Sequence, residues 1–252
     1  MRQKLVVGNW KMNGSSQQIE SLAGEMLSGL ANLTNPVEIG LCPAYVYLPL
    51  LGELLSDSAV LLGAQNASQY EAGAYTGEVA CSMLQDLGVD AVIVGHSERR
   101  QLFGESSEAV AAKFEAVTAG GMMPILCVGE TLEQREQGAT EAVVLEQLAT
   151  VWHRVGAAGF ANAVVAYEPV WAIGTGKTAS PDQAQAVHKL LREFLAQQDE
   201  QTAVNTRIIY GGSVKSSNAK ELFDQADIDG GLVGGASLDA KEFIAICASA
   251  DT

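Results

Sequence analysis

Strand-like and helix-like segments alternate along this 252-residue chain, and this alternation is the feature that most restricts its fold. Eight short apolar runs are each followed by a segment with helical spacing, at about 31 residues per unit, which predicts parallel β/α units. An open doubly wound sheet would show the same local pattern, whereas eight units close naturally into a (β/α)8 barrel. We therefore expect residues 1–252 to form one α/β domain, a parallel eight-stranded closed barrel.

The position of the unusual polar residues favours the barrel over the open sheet. Residues 4–12 are predicted as the first strand, with Asn9 and Lys11 on one face. His96 closes the fourth strand, and Glu168 stands at the end of the sixth. The later strands are followed by Ser213, Gly234 and Gly235. A barrel gathers all these strand ends into one site.

Glu168 lies between a buried strand and a loop whose composition suits a lid. The loop is stiff and apolar over residues 169–173 and then rich in glycine. The predicted lid consists of Pro169, Val170, Trp171, Ala172, Ile173, Gly174, Thr175, Gly176 and Lys177. Drying under a closed lid would raise the pKa of the Glu168 carboxyl and make it a general base. An ordinary solvated carboxylate at a strand end is the alternative.

The glycines near the end of the chain favour a phosphate ligand. Residues 211–212 and 234–235 are glycine pairs that precede helices, where backbone N–H groups can approach an anion. A single pair would serve equally well as a plain turn, but two pairs on neighbouring strands coincide with the usual phosphate position of a barrel. The letters GTGKT at 174–178 resemble a nucleotide phosphate loop, but that motif requires glycine where Trp171 stands.

Composition excludes several other classes of protein. The net charge of -15 argues against nucleic acid and anionic membranes as partners. The four cysteines form no C-x-x-C pair, so neither a zinc site nor a disulfide framework is indicated. No apolar run reaches about 18 residues, which predicts a soluble, cytoplasmic protein. A phosphate would have to be attracted by local dipoles and a few placed cations.

A cation, an imidazole and a carboxylate beside a phosphate cradle suit proton transfer next to a carbonyl, with no metal or cofactor. Two other functions remain to be weighed. A Schiff-base aldolase needs a lysine inside the barrel, and strands five and six contain none, so Lys11 is its only candidate. A non-catalytic phosphate binder would leave Glu168 without purpose, because a carboxylate near phosphate weakens binding.

Eight segments of the sequence resemble the triosephosphate isomerase family. They are residues 8–14 (GNWKMNG), 63–66 (GAQN) with 72–78 (AGAYTGE), 95–100 (GHSERR), 124–130 (PILCVGE), 166–178 (AYEPVWAIGTGKT), 210–215 (YGGSVK) and 232–238 (LVGGASL). They span nearly the whole chain and are highly specific. The resemblance implies a TIM barrel that interconverts dihydroxyacetone phosphate and glyceraldehyde 3-phosphate.

The resemblance also implies a role for each site residue. Glu168 would be the base, and His96 a neutral imidazole whose pKa is lowered by the following helical turn, a tuning known for this enzyme. Lys11 would supply positive charge, oriented by Glu98, and Asn9 would donate a hydrogen bond. The phosphate would be held by backbone N–H groups of Gly174, Ser213, Gly234 and Gly235.

A long loop at residues 65–79 predicts a homodimer. It has no secondary-structure period, yet it contains apolar residues such as Tyr75, which would be solvated without a partner surface. The resemblance implies that the loop docks beside the neighbouring subunit's site, with Tyr75 and Thr76 at the interface. Loss of the partner should then lower the activity, because small displacements of catalytic groups reduce the reaction rate strongly.

Overall fold

Eight parallel strands close into a barrel in the computed structural model, which describes residues 2–33, 37–174 and 178–250. The strands follow one another in chain order, and the last pairs with the first through Leu5 and Gly230. Their bounds are Leu5–Asn9 (β1), Glu38–Cys42 (β2), Leu61–Ala64 (β3), Ala91–Val94 (β4), Met123–Val128 (β5), Val164–Tyr167 (β6), Arg207–Tyr210 (β7) and Gly230–Val233 (β8). The predicted closed barrel is confirmed, and the open-sheet alternative is wrong.

Helices connect the strands on the outside of the barrel. Within the described ranges they are Ser16–Leu30 (α1), Leu48–Leu55 (α2), Cys81–Asp86 (α3), Ser97–Phe103 (α4), Ser107–Ala119 (α5), Leu132–Glu136 (α6), Thr140–Phe160 (α7), Pro181–Gln198 (α8), Glu200–Asn205 (α9), Ser216–Phe223 (α10) and Ala240–Ser249 (α11). The sequence predicted eight helical stretches, and three crossovers contain a second helix. None of the helices in these ranges is long and apolar enough to cross a bilayer.

The core has two layers because successive strand residues face opposite sides of the sheet. Leu5 and Val7 pack inside the barrel, whereas Val6 packs outward against the helices. The interior cluster contains Leu5, Val7, Cys42, Ala91, Ile93, Met123, Ile125, Cys127, Val164, Ala166, Ile209 and Leu232. The barrel interior is therefore filled with side chains and is a packed core, not a channel.

The end of β1 differs from the prediction. The strand stops at Asn9 instead of continuing to residue 12, and Lys11 adopts a left-handed backbone with φ of 51°. Strand alternation therefore does not place Lys11 on the same face as Asn9. The cause is local: the Oδ1 atom of Asn9 accepts the Lys11 N–H at 3.1 Å, which turns the chain out of the sheet.

Candidate active site

A pocket of about 400 Å³ opens at the carboxyl ends of the strands. Its size lies within the usual range for small-molecule sites. The predicted site residues that line it are Asn9, Lys11, His96, Glu168, Gly174, Ser213, Gly234 and Gly235. Lys215 also lines the pocket and adds a cation that the sequence analysis missed, although it stands just after the glycine pair of β7. Three predicted lid residues, Thr175, Gly176 and Lys177, lie outside the described residues.

Two glycines on the neighbouring strand ends make room for Glu168. A Cβ atom on Gly129, after β5, would lie 1.8 Å from the carbonyl oxygen of Glu168. A Cβ atom on Gly211, after β7, would lie 2.9 Å from the Cγ atom of Glu168. The Glu168 N–H in turn donates to the carbonyl of Val128 at 2.8 Å. The main chain of Glu168 is thus fixed between its two neighbours.

The Glu168 carboxylate is buried, with 1% of the residue exposed, and it contacts the start of α4. Its Oε1 atom lies 3.0 Å from Nε2 of His96, and its Oε2 atom accepts the N–H of Ser97 at 2.8 Å. The Ser97 hydroxyl lies 3.3 Å from Oε1. Ser97 was not predicted as a site residue. It could have been, because it directly follows His96 at the start of a helix. The two candidate proton-transfer groups are therefore in direct contact.

The pKa values of this pair differ from the sequence expectation. Burial raises the pKa of Glu168, but His96, the Ser97 N–H and Lys11 together outweigh it, so the pKa lies below its ordinary value. Burial lowers the pKa of His96, but Glu168 outweighs it, so this pKa is raised. The sequence predicted a raised pKa for Glu168 under a closed lid and a lowered pKa for His96, and in the present contact both directions are the opposite. The reason is that each group stabilises the charged form of the other.

The hydrogen bonds of His96 identify its neutral tautomer. Its Nδ1 atom caps α4 by accepting the N–H of Glu98 at 3.2 Å. An imidazole nitrogen that accepts a hydrogen bond carries no proton, so the single proton of the neutral ring belongs on Nε2. That nitrogen faces Glu168 in the pocket. The ring can therefore donate a hydrogen bond into the site without being charged.

Lys11 is held at the pocket by an ion pair. Its ammonium group pairs with the carboxylate of Glu98, as expected for a residue that orients it. A Cβ atom on Gly234 would lie 3.9 Å from the Lys11 Nζ atom, so the ammonium stands beside the glycine pair of β8. Asn9 is 5% exposed and uses Oδ1 for the Lys11 N–H, which leaves its amide nitrogen to donate into the pocket.

The backbone after β7 and β8 offers donors to an anion. Within the described ranges, the N–H groups of Ser213, Gly234 and Gly235 donate no hydrogen bond to another residue. Gly235 begins a short 3₁₀ helix, Gly235–Leu238, whose N-terminal N–H groups carry partial positive charge. Together with Lys11 and Lys215, these donors can attract phosphate locally even though the chain carries a net charge of -15.

The first half of the predicted lid is attached to Glu130. Trp171 lies in the 3₁₀ turn Val170–Ala172, and its indole Nε1 donates to Glu130 at 3.0 Å. Glu130 is fully buried and also accepts hydrogen bonds from Tyr167 and Arg135 at 3.1 Å. No role for Glu130 was predicted from the sequence, although it ends the segment 124–130 that resembles the family. The contact ties the lid to a rigid point next to β5.

An exposed apolar surface lies on one side of the same rim. Tyr70 and Tyr75 in the loop of residues 65–79 are each 43% exposed, and their rings stack 4.0 Å apart. Thr76 is exposed beside them. Further exposed apolar residues follow β1, β2, β3 and β4, which are adjacent in the barrel: Met12, Val46, Met83, Leu102 and Phe103. We call residues 65–79, for which the sequence predicts a partner contact, the interface loop.

Comparison with known proteins gives a consistent assignment. The family model described as triosephosphate isomerase matches residues 4–250. A triosephosphate isomerase of Dechloromonas aromatica is 56% identical over 251 residues, covering 100% of both chains. The proteins of the same name from Alcanivorax borkumensis and Methylococcus capsulatus are 54% and 51% identical, each over 99% of both chains.

Proposed function

The chain belongs to the triosephosphate isomerase family and interconverts dihydroxyacetone phosphate and D-glyceraldehyde 3-phosphate; from this premise we propose which residues carry the proton transfer. The observation that carries the proposal is the contact of 3.0 Å between buried Glu168 and His96, in one pocket with Lys11. A carboxylate, a neutral N–H donor and a cation are what an enediolate route requires. No cofactor enters this route.

Glu168 is the general base. It removes a proton from the carbon beside the substrate carbonyl and returns it to the neighbouring carbon, so no net proton is gained or lost. In the resting contact His96 and the Ser97 N–H lower the pKa of Glu168 and keep it ionised. When substrate separates the carboxylate from these partners, their lowering effect is lost and burial raises the pKa of Glu168, which strengthens the base.

His96 is the donor that polarises the carbonyl. Because Nδ1 accepts the N–H of Glu98, the Nε2–H group is available once Glu168 has moved away from it. The Nε2–H group donates its proton to the carbonyl oxygen, which becomes negative when the enediolate forms. The hydroxyl oxygen on the neighbouring carbon then gives its own proton to Nε2 as it becomes the new carbonyl oxygen. Lys11 stabilises the negative charge and the phosphate, Glu98 orients Lys11, and Asn9 donates from its amide.

The phosphate is held by the N–H groups of Gly174, Ser213, Gly234 and Gly235, and residues 169–177 close over it. The unpaired donors after β7 and β8 support this assignment. Closure of the lid must either break the hydrogen bond from Trp171 to Glu130 or move both residues together. Glu130 is therefore the fixed contact of the lid in this structure. Exclusion of water strengthens every electrostatic contact in the pocket.

The active form is a homodimer, and residues 1–252 of each subunit make up one barrel domain. The apolar side chains after four adjacent strands support a partner surface, and a second copy of this chain is its occupant. Tyr75 and Thr76 lie at the centre of that contact. The enzyme works in the cytoplasm, where triose phosphates are formed and used.

A coupled isomerisation assay on purified protein, with chelator present and no cofactor added, tests the proposal. Reaction in deuterated water should place one deuteron on the carbon to which Glu168 returns the proton. Lys11→Met should raise the KM strongly. An enzyme that needs an added metal, or a Lys11→Met variant with normal kinetics, would contradict these assignments.

A further inference from the structure

The side chain of Gln65 reaches from the start of the interface loop to two neighbouring strand ends. Its Nε2 atom donates hydrogen bonds to the carbonyl oxygens of Lys11 and Cys42, each at 2.9 Å. An amide nitrogen has two N–H donors, so both are used. We propose that Gln65 is a positioning residue for Lys11, holding its backbone so that the ammonium group faces the substrate. This inference rests on the proposed role of Lys11.

Lys11 needs such support because of its backbone conformation. It is the one residue other than glycine that has a positive φ within residues 2–33, 37–174 and 178–250. A left-handed conformation is unfavourable for a side chain like lysine and persists only where the surroundings enforce it. Asn9 holds the Lys11 N–H, and Gln65 holds the Lys11 carbonyl oxygen. The two contacts restrain the turn that aims the ammonium group.

Loss of the Gln65 amide would affect Lys11 more than Cys42. The Cys42 carbonyl oxygen also accepts the N–H of Trp10 at 3.0 Å, so it would remain bonded. The Lys11 carbonyl oxygen accepts no other hydrogen bond from the part of the chain that the structure describes. Removing the amide therefore releases Lys11 selectively.

Gln65 is itself anchored on both sides. It follows β3 directly, and the next residue, Asn66, accepts a hydrogen bond at 2.9 Å from the buried ammonium of Lys113. The N–H of Ser68 donates to the carbonyl of Val79 at 2.8 Å and closes the base of the interface loop. The amide is thus mounted on a rigid segment, as a positioning group requires.

Kinetics of Gln65→Met test the inference, because methionine keeps the length of the side chain and removes both donors. A displaced ammonium group should raise the KM for dihydroxyacetone phosphate and lower kcat/KM by about 10- to 100-fold. A purely structural loss would instead lower the active fraction and leave the KM unchanged. Gln65→Asn, which keeps the amide but cannot span the gap, should show the same raised KM. Gln17→Met, at an exposed position of α1, is the matched control and should behave as wild type.

A double-mutant cycle with Lys11→Met identifies the residue through which Gln65 acts. Equilibrium dialysis with radiolabelled inorganic phosphate measures Kd without requiring activity. Once Lys11 is replaced, adding Gln65→Met should change Kd by less than about twofold. A normal KM in both Gln65 variants would overturn this inference and leave the proposed role of Lys11 intact. The same holds if the effects of Gln65→Met and Lys11→Met on Kd multiply in the cycle. If Lys11→Met binds phosphate as wild type does, the proposed role of Lys11 fails and the inference fails with it.

Discussion

Shortening the base by one methylene group tests how closely proton transfer depends on the reach of Glu168. Its oxygens lie 3.0 Å from Nε2 of His96 and 2.8 Å from the N–H of Ser97. Glu168→Asp withdraws the carboxylate by about 1.5 Å, one carbon–carbon bond. The backbone is held in place, because the Glu168 N–H donates to the carbonyl of Val128 at 2.8 Å. We expect kcat to fall by about 10²- to 10³-fold, or about 3–4 kcal/mol of activation free energy.

The assay is steady-state isomerisation in both directions with purified protein. KM should change little, because the phosphate donors after β7 and β8 are untouched. Glu20→Asp, at an exposed position of α1, makes the same chemical change away from the site and should leave kcat unaltered. The melting temperature of Glu168→Asp reports whether the fold is retained. A kcat within about threefold of wild type would refute the dependence on reach.

Three further changes have expected outcomes. In Glu168→Gln the pKa of His96 should fall, because the carboxylate that raises it is removed while burial continues to lower it; nitrogen NMR measures this, and an unchanged titration would count against the pairing. Burial lowers the pKa of His188 to about 4, so the unfolded chain binds more protons between pH 6.5 and 4. The free energy of unfolding should therefore fall by about 3 kcal/mol as the pH drops through that window, and His188→Gln should remove this part of the slope in urea titrations. Tyr75→Asp should give a monomer by sedimentation with a large loss of kcat, and a fully active monomer would separate assembly from catalysis.

The strand and helix alternation was readable from the sequence because it depends on local rules. Apolar runs mark strands, and caps mark helix starts: Ser180 and Gln183 form a capping box at α8. The positions of Asn9 at the end of a strand, and of His96 and Glu168 just after strands, were readable for the same reason. Closure of the barrel then brings these separated positions into one pocket.

Contacts between segments distant in the chain were decided only by the tertiary structure. No local pattern shows that Gln65 supports Lys11, or that Trp171 of the lid bonds to Glu130. The left-handed turn at Lys11 also escaped the sequence, since period-two alternation assumes that a strand continues. The pKa directions of Glu168 and His96 were reversed from expectation because they depend on a contact of 3.0 Å between residues 72 positions apart. Electrostatic coupling depends on distance in space, and distance in space is set by closure of the barrel.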